Sequence, residues 1–438
     1  MALTIRGGVV LKEQIFGSDS PIREMPAPDY VTLPLHEDEK TAGKLLVSVG
    51  DHVLKGQKLS EGSETAVSVY ASVSGTVSHI RPCRTARGIT PCIVLKNDRM
   101  NTVSPDASPY EYAIRKADPD SLIRHVRDRG IVDYASSELP LWTILEQARG
   151  RATRLFIHCI EPDPALTGTH RLLLEKTEEI VGGIKILMRS MGVEKAVFTL
   201  DDEQEDVAEA VMKLVGSSKN FAVAVLKGKY PMHDPALLIR AMLKKELSKD
   251  STPLSEGAVF IHPETCLAVY RAFISGYPPT EKLLTVSGDK LRSPAHLLVP
   301  LGTSLRSVLE FADGKTRGPS TLLEGGRMKG NVIWNRSVPV TQTTKGILAL
   351  SVKTKKPTVS PCIHCGKCVE VCPRYLVPVT LSRSVEKGDW NTAKLYDLEL
   401  CSECGCCSYV CPASLPLLQT LQEGKKLLAL QASEKGDA

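Results

Sequence analysis

The sequence predicts a multidomain α/β and α+β protein that ends in a small cysteine-rich helical domain. Three observations support this prediction. Short β-branched segments separated by turn residues fill residues 31–80, strand-like and helix-like segments alternate over residues 106–275, and one cysteine spacing occurs twice after residue 360. Alternation of strands and helices is typical of a largely parallel sheet that is covered on both faces.

The composition of the chain limits the number of domains and the classes of partner that it can have. The chain has 438 residues, which suggests about three or four domains. Hydrophobic residues make up 42% and charged residues 24%, as in ordinary globular proteins. A net charge of +5 and an aromatic content of 5% give no support for nucleic-acid binding. Five of the 13 cysteines lie outside the repeated spacing, and this scattered set predicts no disulfides and a reducing cytoplasmic setting: Cys83, Cys92, Cys159, Cys266 and Cys406.

Neither a signal peptide nor a membrane span is expected. The first residues lack the long apolar core and the small-residue cleavage site of a secretory signal. No stretch approaches the roughly 18 consecutive apolar residues that a membrane helix needs. We therefore expect a chain that does not cross a membrane, although it can sit on one through a partner.

The first predicted domain covers residues 1–105. Its segments 49–57 and 71–77 resemble the half-repeats of biotinyl and lipoyl carrier domains, with tight turns at Gly50-Asp51 and Ser74-Gly75. The resemblance predicts a barrel-sandwich β domain. The lysine that those carriers modify has no counterpart near Ser74, so docking is expected and covalent carriage is not.

The second predicted domain, residues 106–275, is an α/β domain with a parallel sheet. Ligands of such sheets bind at the carboxyl ends of the strands. Its predicted strands are TRLFIHCI, KAVFTLD, FAVAVLK and GAVFIHP, and its predicted helices include SLIRHVRDRG, HRLLLEKTEEIVGGIKILMRSMG, EQEDVAEAVMKLVGS, DPALLIRAMLKKEL and ETCLAVYRAFISG.

Two further units complete the chain. Residues 276–352 suit a compact β-grasp-like α+β domain, with a helix at SLRSVLEFADG. Residues 353–360 form a polar linker into the last domain, residues 353–438. The tail after residue 425 is expected to fray.

The repeated cysteine spacing predicts two [4Fe–4S] clusters. Each copy reads Cys-x2-Cys-x2-Cys-x3-Cys-Pro, the run of bacterial two-cluster ferredoxins, in which the fourth cysteine ligates the other cluster. The proline makes the chain turn away from the site. The first cluster is therefore assigned to Cys362, Cys365, Cys368 and Cys411, and the second to Cys401, Cys404, Cys407 and Cys372.

The alternatives are a pair of zinc sites or a disulfide framework. Zinc sites use paired Cys-x2-Cys or Cys/His knuckles and lack the third cysteine and the trailing Cys-x3-Cys-Pro. Cys406 falls outside the spacing, and we interpret it as a packing thiol beside a cluster.

The order of these modules resembles that of the RnfC family, a subunit of the Rnf ion-translocating oxidoreductase complex, over nearly the whole chain. The segments that carry the resemblance are GDHVLKGQKL with ASVSGTV, EPDPALTGTHRLL with EEIVGGIKIL, KYP, TVSGD, VPLGTSL, GGRMKG and CSECGCCSYVCPASLPL. The central domains are also similar to the flavin-bearing subunit of respiratory complex I, which makes residues 276–352 an SLBB domain by resemblance.

This resemblance implies a peripheral electron-transfer subunit on the cytoplasmic side of the cell membrane. Such a subunit passes electrons through its clusters toward membrane-embedded subunits that drive Na⁺ or H⁺ transport. In typical members the electrons exchange with NADH through bound FMN.

One loop departs from the family pattern. Typical members carry a glycine-rich GxGGAGFPT loop, where this chain reads DYASSELP over residues 133–140. Bare backbone N–H groups of glycines approach a phosphate closely, whereas side chains block that approach. The carboxylates of Asp133 and Glu138 would also repel a phosphate. We therefore expect no FMN and no NADH binding in the family manner.

Three other parts of that site have changed as well. A remodelled pocket for another donor is one interpretation, and ordinary packing on a retained fold is the other. The altered segments are His158-Cys159-Ile160-Glu161, Met232-His233-Asp234 and His262-Pro263-Glu264-Thr265.

Two functions remain open from the sequence. The first is an electron-transfer subunit of a membrane-associated Rnf-type complex, with a ferredoxin or another redox protein as its donor, steered by Lys367, Arg374 and Lys394. The second is a soluble relative that delivers electrons to a cytoplasmic reductase.

Overall fold

The computed structural model describes residues 2–11, 19–35, 44–86, 88–110, 114–134, 139–313, 318, 320–352 and 358–436. Its first unit consists of a four-stranded antiparallel sheet in the order β2-β7-β6-β3 and a two-stranded sheet β4-β5, with β1 belonging to a later sheet. The strands are β1 (Ile22–Glu24), β2 (Tyr30–Pro34), β3 (His52–Val53), β4 (Lys58–Ser60), β5 (Val69–Tyr70), β6 (Gly75–Arg84) and β7 (Ile89–Asn97).

A long hairpin dominates this first unit. Strands β6 and β7 pair from Gly75 opposite Asn97 to Arg84 opposite Ile89. A side chain on Gly75 would overlap the carbonyl oxygen of Lys96, and its φ of 151° favours glycine, so the Ser74-Gly75 turn depends on this residue. The hairpin packs into one core with the sheet of residues 281–351, because Ile93 and Leu95 belong to the same buried cluster as Leu297.

The second unit is an α/β domain around a fully parallel sheet of order β10-β9-β8-β11, as its strand–helix alternation predicts. The strands are β8 (Arg154–His158), β9 (Ala196–Asp201), β10 (Phe221–Leu226) and β11 (Ala258–Ile261). The helices are α1 (Pro119–Arg127), α2 (Leu141–Ala148), α3 (Gly168–Glu175), α4 (Thr177–Met191), α5 (Glu205–Val215), α6 (Pro235–Leu243) and α7 (Pro263–Ile274).

One predicted helix is divided in two. The run from residue 170 to 192 breaks at Lys176, which leaves helical geometry at φ −131° and ψ 25°. The first piece, α3, ends there, and α4 ends at Gly192, whose φ of 74° forms a left-handed cap. Beyond the break, α4 packs against α7.

The third unit is a six-stranded mixed sheet of order β1-β13-β12-β16-β14-β15 with one helix. Strand β1 pairs in parallel with β13, so a segment near the start of the chain completes this sheet. Its other elements are β12 (Glu281–Ser287), β13 (Ala295–Pro300), α8 (Leu305–Asp313), β14 (Ser320–Glu324), β15 (Asn331–Val332) and β16 (Ile347–Ser351). Most of the predicted polar linker, residues 353–357, lies outside the described residues.

The last unit is helical. Its helices are α9 (Lys367–Glu370), α10 (Pro378–Glu386), α11 (Trp390–Leu395), α12 (Cys406–Tyr409) and α13 (Leu417–Gly436). Contrary to the expectation of a frayed tail, helix α13 continues beyond residue 425. It does so because Leu421 and Leu428 are buried in one cluster with Leu381 of α10. Among the described residues, no helix has the length and apolar character that crossing a bilayer requires.

A close helix contact fixes α7, whose first turn forms part of the candidate site. A Cβ on Gly183 of α4 would overlap the carbonyl oxygen of Cys266, and one on Gly182 would overlap the ring of Tyr270. The Gly182-Gly183 pair therefore sets how near the two helices approach.

We predict that Gly183→Ala destabilises the protein by about 2 kcal/mol, because the added methyl group forces α4 and α7 apart in a packed core. Lys185→Ala, at an exposed position of the same helix, is the matched control and should change stability by less than about 0.5 kcal/mol. Urea unfolding of the two variants measures both. Equal free energies of unfolding for the two variants would show that Gly183 does not set the distance between α4 and α7.

Candidate iron–sulfur centres and sheet-edge cavity

Two groups of cysteines line two separate cavities in the last unit. The first cavity has a volume of about 120 Å³, and its cysteines are Cys362, Cys365, Cys368 and Cys411. The second has a volume of about 20 Å³, and its cysteines are Cys372, Cys401, Cys404, Cys406 and Cys407. The fourth cysteine of each copy thus lies with the first three of the other copy, as crossed ligation requires.

The two copies share one backbone conformation. Positive φ angles recur two residues after the first cysteine, at His364 (54°) and Glu403 (53°). They recur directly after the second cysteine, at Gly366 (75°) and Gly405 (79°). Left-handed residues between right-handed ones turn successive N–H groups toward a common concave side, which favours an anionic group. A non-glycine residue at positive φ costs free energy, so the repeated strain marks the two loops as functional.

The two groups differ in exposure. In the first group Cys365 is exposed and its neighbour Ile363 is 65% exposed. In the second group Cys372, Cys404 and Cys407 are buried. Burial raises the pKa of the Cys407 thiol to about 12, whereas a hydrogen bond from Cys406 lowers the pKa of Cys404 to about 6, so the thiols of this group are not equivalent.

No three His, Cys, Asp or Glu side chains among the described residues are grouped closely enough to hold a single metal ion. Cys406 is fully buried, and its Sγ faces the carbonyl oxygen of Tyr230 at 4.0 Å.

The second cysteine group is held against the α/β domain. The hydroxyl of Tyr230 donates to the carbonyl oxygen of Cys404 at 2.7 Å, and the backbone N–H of Gly8 donates to Val371 O at 2.8 Å. Arg374 donates from Nη2 to Leu247 O at 3.0 Å. This half-buried guanidinium therefore joins the two units, whereas Lys367 and Lys394 are exposed; steering of a donor protein by the three residues stays a prediction.

A cavity of about 60 Å³ lies at the carboxyl edge of the parallel sheet, where the chain departs from its family pattern. The three histidines of the altered segments line it: His158, His233 and His262. Cys159 does not, because its side chain is fully buried in the hydrophobic core and its Sγ lies 3.3 Å from Ile157 O.

Asp133 occupies the start of helix α7. Its carboxylate is 1% exposed and accepts from the backbone N–H of His262 at 3.2 Å and from Thr265 Oγ1 at 3.0 Å. A helix N-terminus attracts an anion, and here an internal carboxylate serves as that anion. Residues 135–138, which include the second predicted acidic residue Glu138, lie outside the described residues.

Sequence reasoning missed Lys282 and gave no contact for Glu264, although both line this cavity. Lys282 from β12 forms a buried ion pair with Glu264, and its Nζ lies 3.9 Å from the centre of the Tyr134 ring. Glu264 Oε1 also accepts from Leu283 N at 2.9 Å. These contacts join the second and third units, and no short sequence motif predicts them.

Burial decides the protonation states in the cavity. It lowers the pKa of His158 to about 4 and holds the pKa values of His233 and His262 well below the usual range. It raises the pKa of Glu161 to about 7, opposed by hydrogen bonds from Thr169. The three imidazoles are therefore neutral at neutral pH.

Comparison with known protein families accounts for most of the chain. Residues 3–100 match the RnfC barrel sandwich hybrid domain, residues 126–271 the Nuo51 FMN-binding domain, and residues 361–415 a 4Fe-4S dicluster domain. The first match agrees with the predicted barrel-sandwich domain, and the third with the predicted two-cluster domain.

Curated relatives from several bacteria match most of this chain, and some of them match over most of their own length as well. The RnfC protein of an ion-translocating oxidoreductase complex from Rhodobacter capsulatus is 32% identical over 99% of this chain and 85% of its own. The RnfC protein of the Na⁺-translocating ferredoxin:NAD⁺ oxidoreductase complex from Acetobacterium woodii is 30% identical over 89% of this chain and 88% of its own.

One solved structure, an NAD⁺-reducing [NiFe]-hydrogenase in the air-oxidised state, superimposes with a TM-score of 0.52. It shares 16% identity and covers 73% of this chain and 65% of its own, so the likeness concerns the fold.

We predict that acidification destabilises the protein partly through His158. In the unfolded chain the His158 imidazole binds a proton near pH 6.5, whereas in the folded chain it does so only near pH 4. The free energy of unfolding therefore decreases as pH falls from about 6.5 to about 4. His158→Gln should reduce the loss of unfolding free energy between pH 7 and pH 5 by about 2 kcal/mol.

Glu161→Gln is the matched variant, and its expected effect on the pH dependence of stability is opposite to that of His158→Gln. The raised pKa of Glu161 contributes stability that is lost as pH rises from about 4.5 to 7, so removing it should steepen the gain of stability with pH. Chemical unfolding at several pH values gives both slopes. Parallel slopes for His158→Gln and the unchanged chain would refute the assignment.

Proposed function

Since the chain belongs to the RnfC family of ion-translocating oxidoreductase complexes, we propose that it transfers electrons within such a complex through two [4Fe–4S] clusters. The observation that carries this proposal is the pair of four-cysteine groups with exchanged fourth members. Relatives are named as members of ferredoxin:NAD⁺ oxidoreductase complexes that translocate Na⁺ or protons. The ion moved by this chain's complex would be one of these two.

The residues present fit the clusters. Thiolates in this spacing are the ligand set of cubane clusters, which accept and release single electrons when bound. The proposed ligands are Cys362, Cys365, Cys368 and Cys411 for the first cluster and Cys401, Cys404, Cys407 and Cys372 for the second. Burial of the second group and its contact with Tyr230 make it the inner site, whereas the exposed Cys365 makes the first group the site nearest a partner.

The proposed partners are membrane-embedded and peripheral subunits of an Rnf-type complex and a redox protein, such as a ferredoxin, as donor. Lys367 is exposed at the start of α9, beside the first cysteine group, where a cation favours approach of an acidic protein. The proposed location is peripheral, on the cytoplasmic side of the cell membrane.

We also propose that the chain works without FMN, although its second unit matches an FMN-binding domain. The sheet-edge cavity of about 60 Å³ is far smaller than the roughly 300–1,000 Å³ of cofactor pockets. Asp133 accepts from the backbone N–H of His262, the N-cap of helix α7, and His262 Nδ1 accepts from Glu264 N, the first N–H within the helix, so both donors that an anion would use already have partners.

A larger cavity of about 490 Å³ lies on the other side of Tyr134 and Glu264. It follows the face of α7 that carries Leu267 and Arg271, and its lining includes no residue from the carboxyl ends of the four parallel strands. It therefore does not replace the flavin site.

The remaining domains serve as a scaffold in this proposal. The boundaries are residues 1–105 for the barrel-sandwich domain, 106–275 for the α/β domain, 276–352 for an SLBB domain of β-grasp type and 353–438 for the cluster domain. The α/β domain would hold the barrel and the clusters in fixed positions for docking.

We predict about eight iron and eight sulfide per chain after anaerobic reconstitution, four of each in either cluster. Iron and sulfide analysis measures this directly. A plateau near four iron, or stoichiometric zinc, would contradict the two-cluster proposal.

The exchange of fourth ligands is tested by Cys372→Ser. This change should disturb the cluster held by the second motif, Cys401, Cys404 and Cys407, and spare the other. Cys406→Ser is the matched control and should leave both clusters in place. Loss of a cluster in Cys406→Ser, with none in Cys407→Ser, would show that the ligand register is wrong.

The purified protein should contain no tightly bound FMN, and NADH should not reduce its clusters, because Asp133 and the small cavity leave no phosphate cradle. Dithionite or a low-potential ferredoxin should reduce them. Near-stoichiometric FMN, or bleaching of the cluster absorbance by NADH alone, would overturn this proposal.

A further inference from the structure

Three positively charged side chains bind the backbone of the loops that carry the second cysteine group. Lys425 donates from Nζ to the carbonyl oxygen of Cys401 at 2.7 Å. Arg374 donates from Nε at 3.3 Å to the carbonyl oxygen of the residue before Cys401, and Arg240 donates from Nη2 to that of the residue after Cys372. Each of these carbonyls therefore belongs to an assigned ligand or to its neighbour in the chain.

The first cysteine group lacks such a set of bound cations. Among the residues that the structure describes, no lysine or arginine donates to a backbone carbonyl of residues 361–369 or 411–413. The guanidinium of Arg383 is exposed and lies 3.3 Å from His364 Nε2 instead. Lys367 is exposed as well, so water and salt screen its charge. The two groups therefore differ in the positive charge that is fixed against them.

Acidic side chains compensate two of the three cations in part. Glu403 pairs with Lys425 at 2.8 Å, and the exposed Glu246 pairs with Arg240 at 2.8 Å. Arg374 forms no ion pair with an acidic residue in the described part of the chain, and its Nη2 binds a backbone carbonyl of the α/β domain at 3.0 Å. The charge of Arg374 is therefore the least compensated of the three.

Burial and these cations act on the second group in opposite directions. A [4Fe–4S] cluster on four thiolates is negatively charged, and reduction adds one more negative charge. Burial disfavours the added charge, whereas nearby cations favour it. Exclusion of water also strengthens the attraction between the added charge and the cations. Because one guanidinium is uncompensated and two further cations are compensated only in part, the attraction is the larger effect.

We propose that Arg374, together with Arg240 and Lys425, raises the reduction potential of the second cluster above that of the first. This inference rests on the proposed two-cluster function. An electron that a partner delivers at the exposed first group then moves inward and rests at the second. In that step the first cluster is oxidised by one electron and the second is reduced by one, and no bond or proton is transferred.

Redox titration of the anaerobically reconstituted full chain, followed by electron paramagnetic resonance, tests the proposal. Arg374→Met should lower the higher of the two reduction potentials, so that the ratio of reduced to oxidised cluster falls at least tenfold, or about 59 mV for a one-electron couple. The lower potential should remain unchanged. Arg374→Lys keeps the charge and should restore the ratio to within threefold. A shift of the lower potential alone, or no shift at all, would overturn the proposal.

Two neighbouring lysines of α13 provide a matched pair. Lys425→Met removes a cation and leaves Glu403 without its partner, so it should decrease the same ratio at least threefold. Lys426 is exposed, and Lys426→Met should leave both potentials unchanged. This pair decides the question even where Arg374→Met, which also loses a contact between units, does not fold. Equal potentials in the two lysine variants would refute the proposal.

Cys362→Ser identifies the cluster that responds. With the first cluster disrupted, the remaining reduction step should be the one of higher potential, and it should still fall when Arg374→Met is added. A remaining step at the lower potential would contradict the proposed order. Iron and sulfide are measured in the same samples. A content well below about eight iron in the unchanged chain means failure of the two-cluster function, whereas full content with unshifted potentials means failure of this inference alone.

Discussion

The exchange of the fourth cysteine between two loops is the constraint on which the functional end of the molecule depends. Cys411 must return to the first loop and Cys372 must reach the second, so neither loop can form its site without the other. Helices α10 and α13 supply the shared core that holds the loops in register, with Leu381 and Leu421 buried between them. The hydroxyl of Tyr230 then fixes the inner site against the α/β domain.

A second constraint acts at helix α7. The close approach of Gly183 to Cys266 fixes this helix in the core, so its N-terminus remains at the sheet edge whether or not a cofactor is bound there. Asp133 supplies from within the chain the negative charge that this N-terminus favours. Such a substitution is compatible with the fold of the domain, because the apolar core beneath, with Leu155 and Phe198 fully buried, lies apart from the loop.

Periodic and repeated features were predictable from the sequence, and contacts between units were not. The cysteine grouping follows from a short spacing rule, and the parallel sheet follows from alternation. The ion pair of Lys282 with Glu264 and the pairing of β1 with β13 join residues that no local pattern connects. Arg374 looked like a surface cation because charge is visible in a sequence and burial is not. For the same reason, the sequence did not show that His158 lines the cavity whereas Cys159 is buried in the hydrophobic core. Neighbouring residues of a strand face opposite sides, and the sequence alone does not say which side faces the cavity.

The most direct test of the account is electron paramagnetic resonance of the fully reduced protein. Exchanged ligands place two cubane clusters side by side, and two nearby paramagnetic centres perturb each other's spectrum. We predict an interaction spectrum when both clusters are reduced, which reverts to a single isolated signal in Cys362→Ser, where one cluster is disrupted. A spectrum equal to the sum of two independent signals, or one already isolated in the unchanged chain, would contradict the exchange of Cys372 and Cys411 between the two motifs.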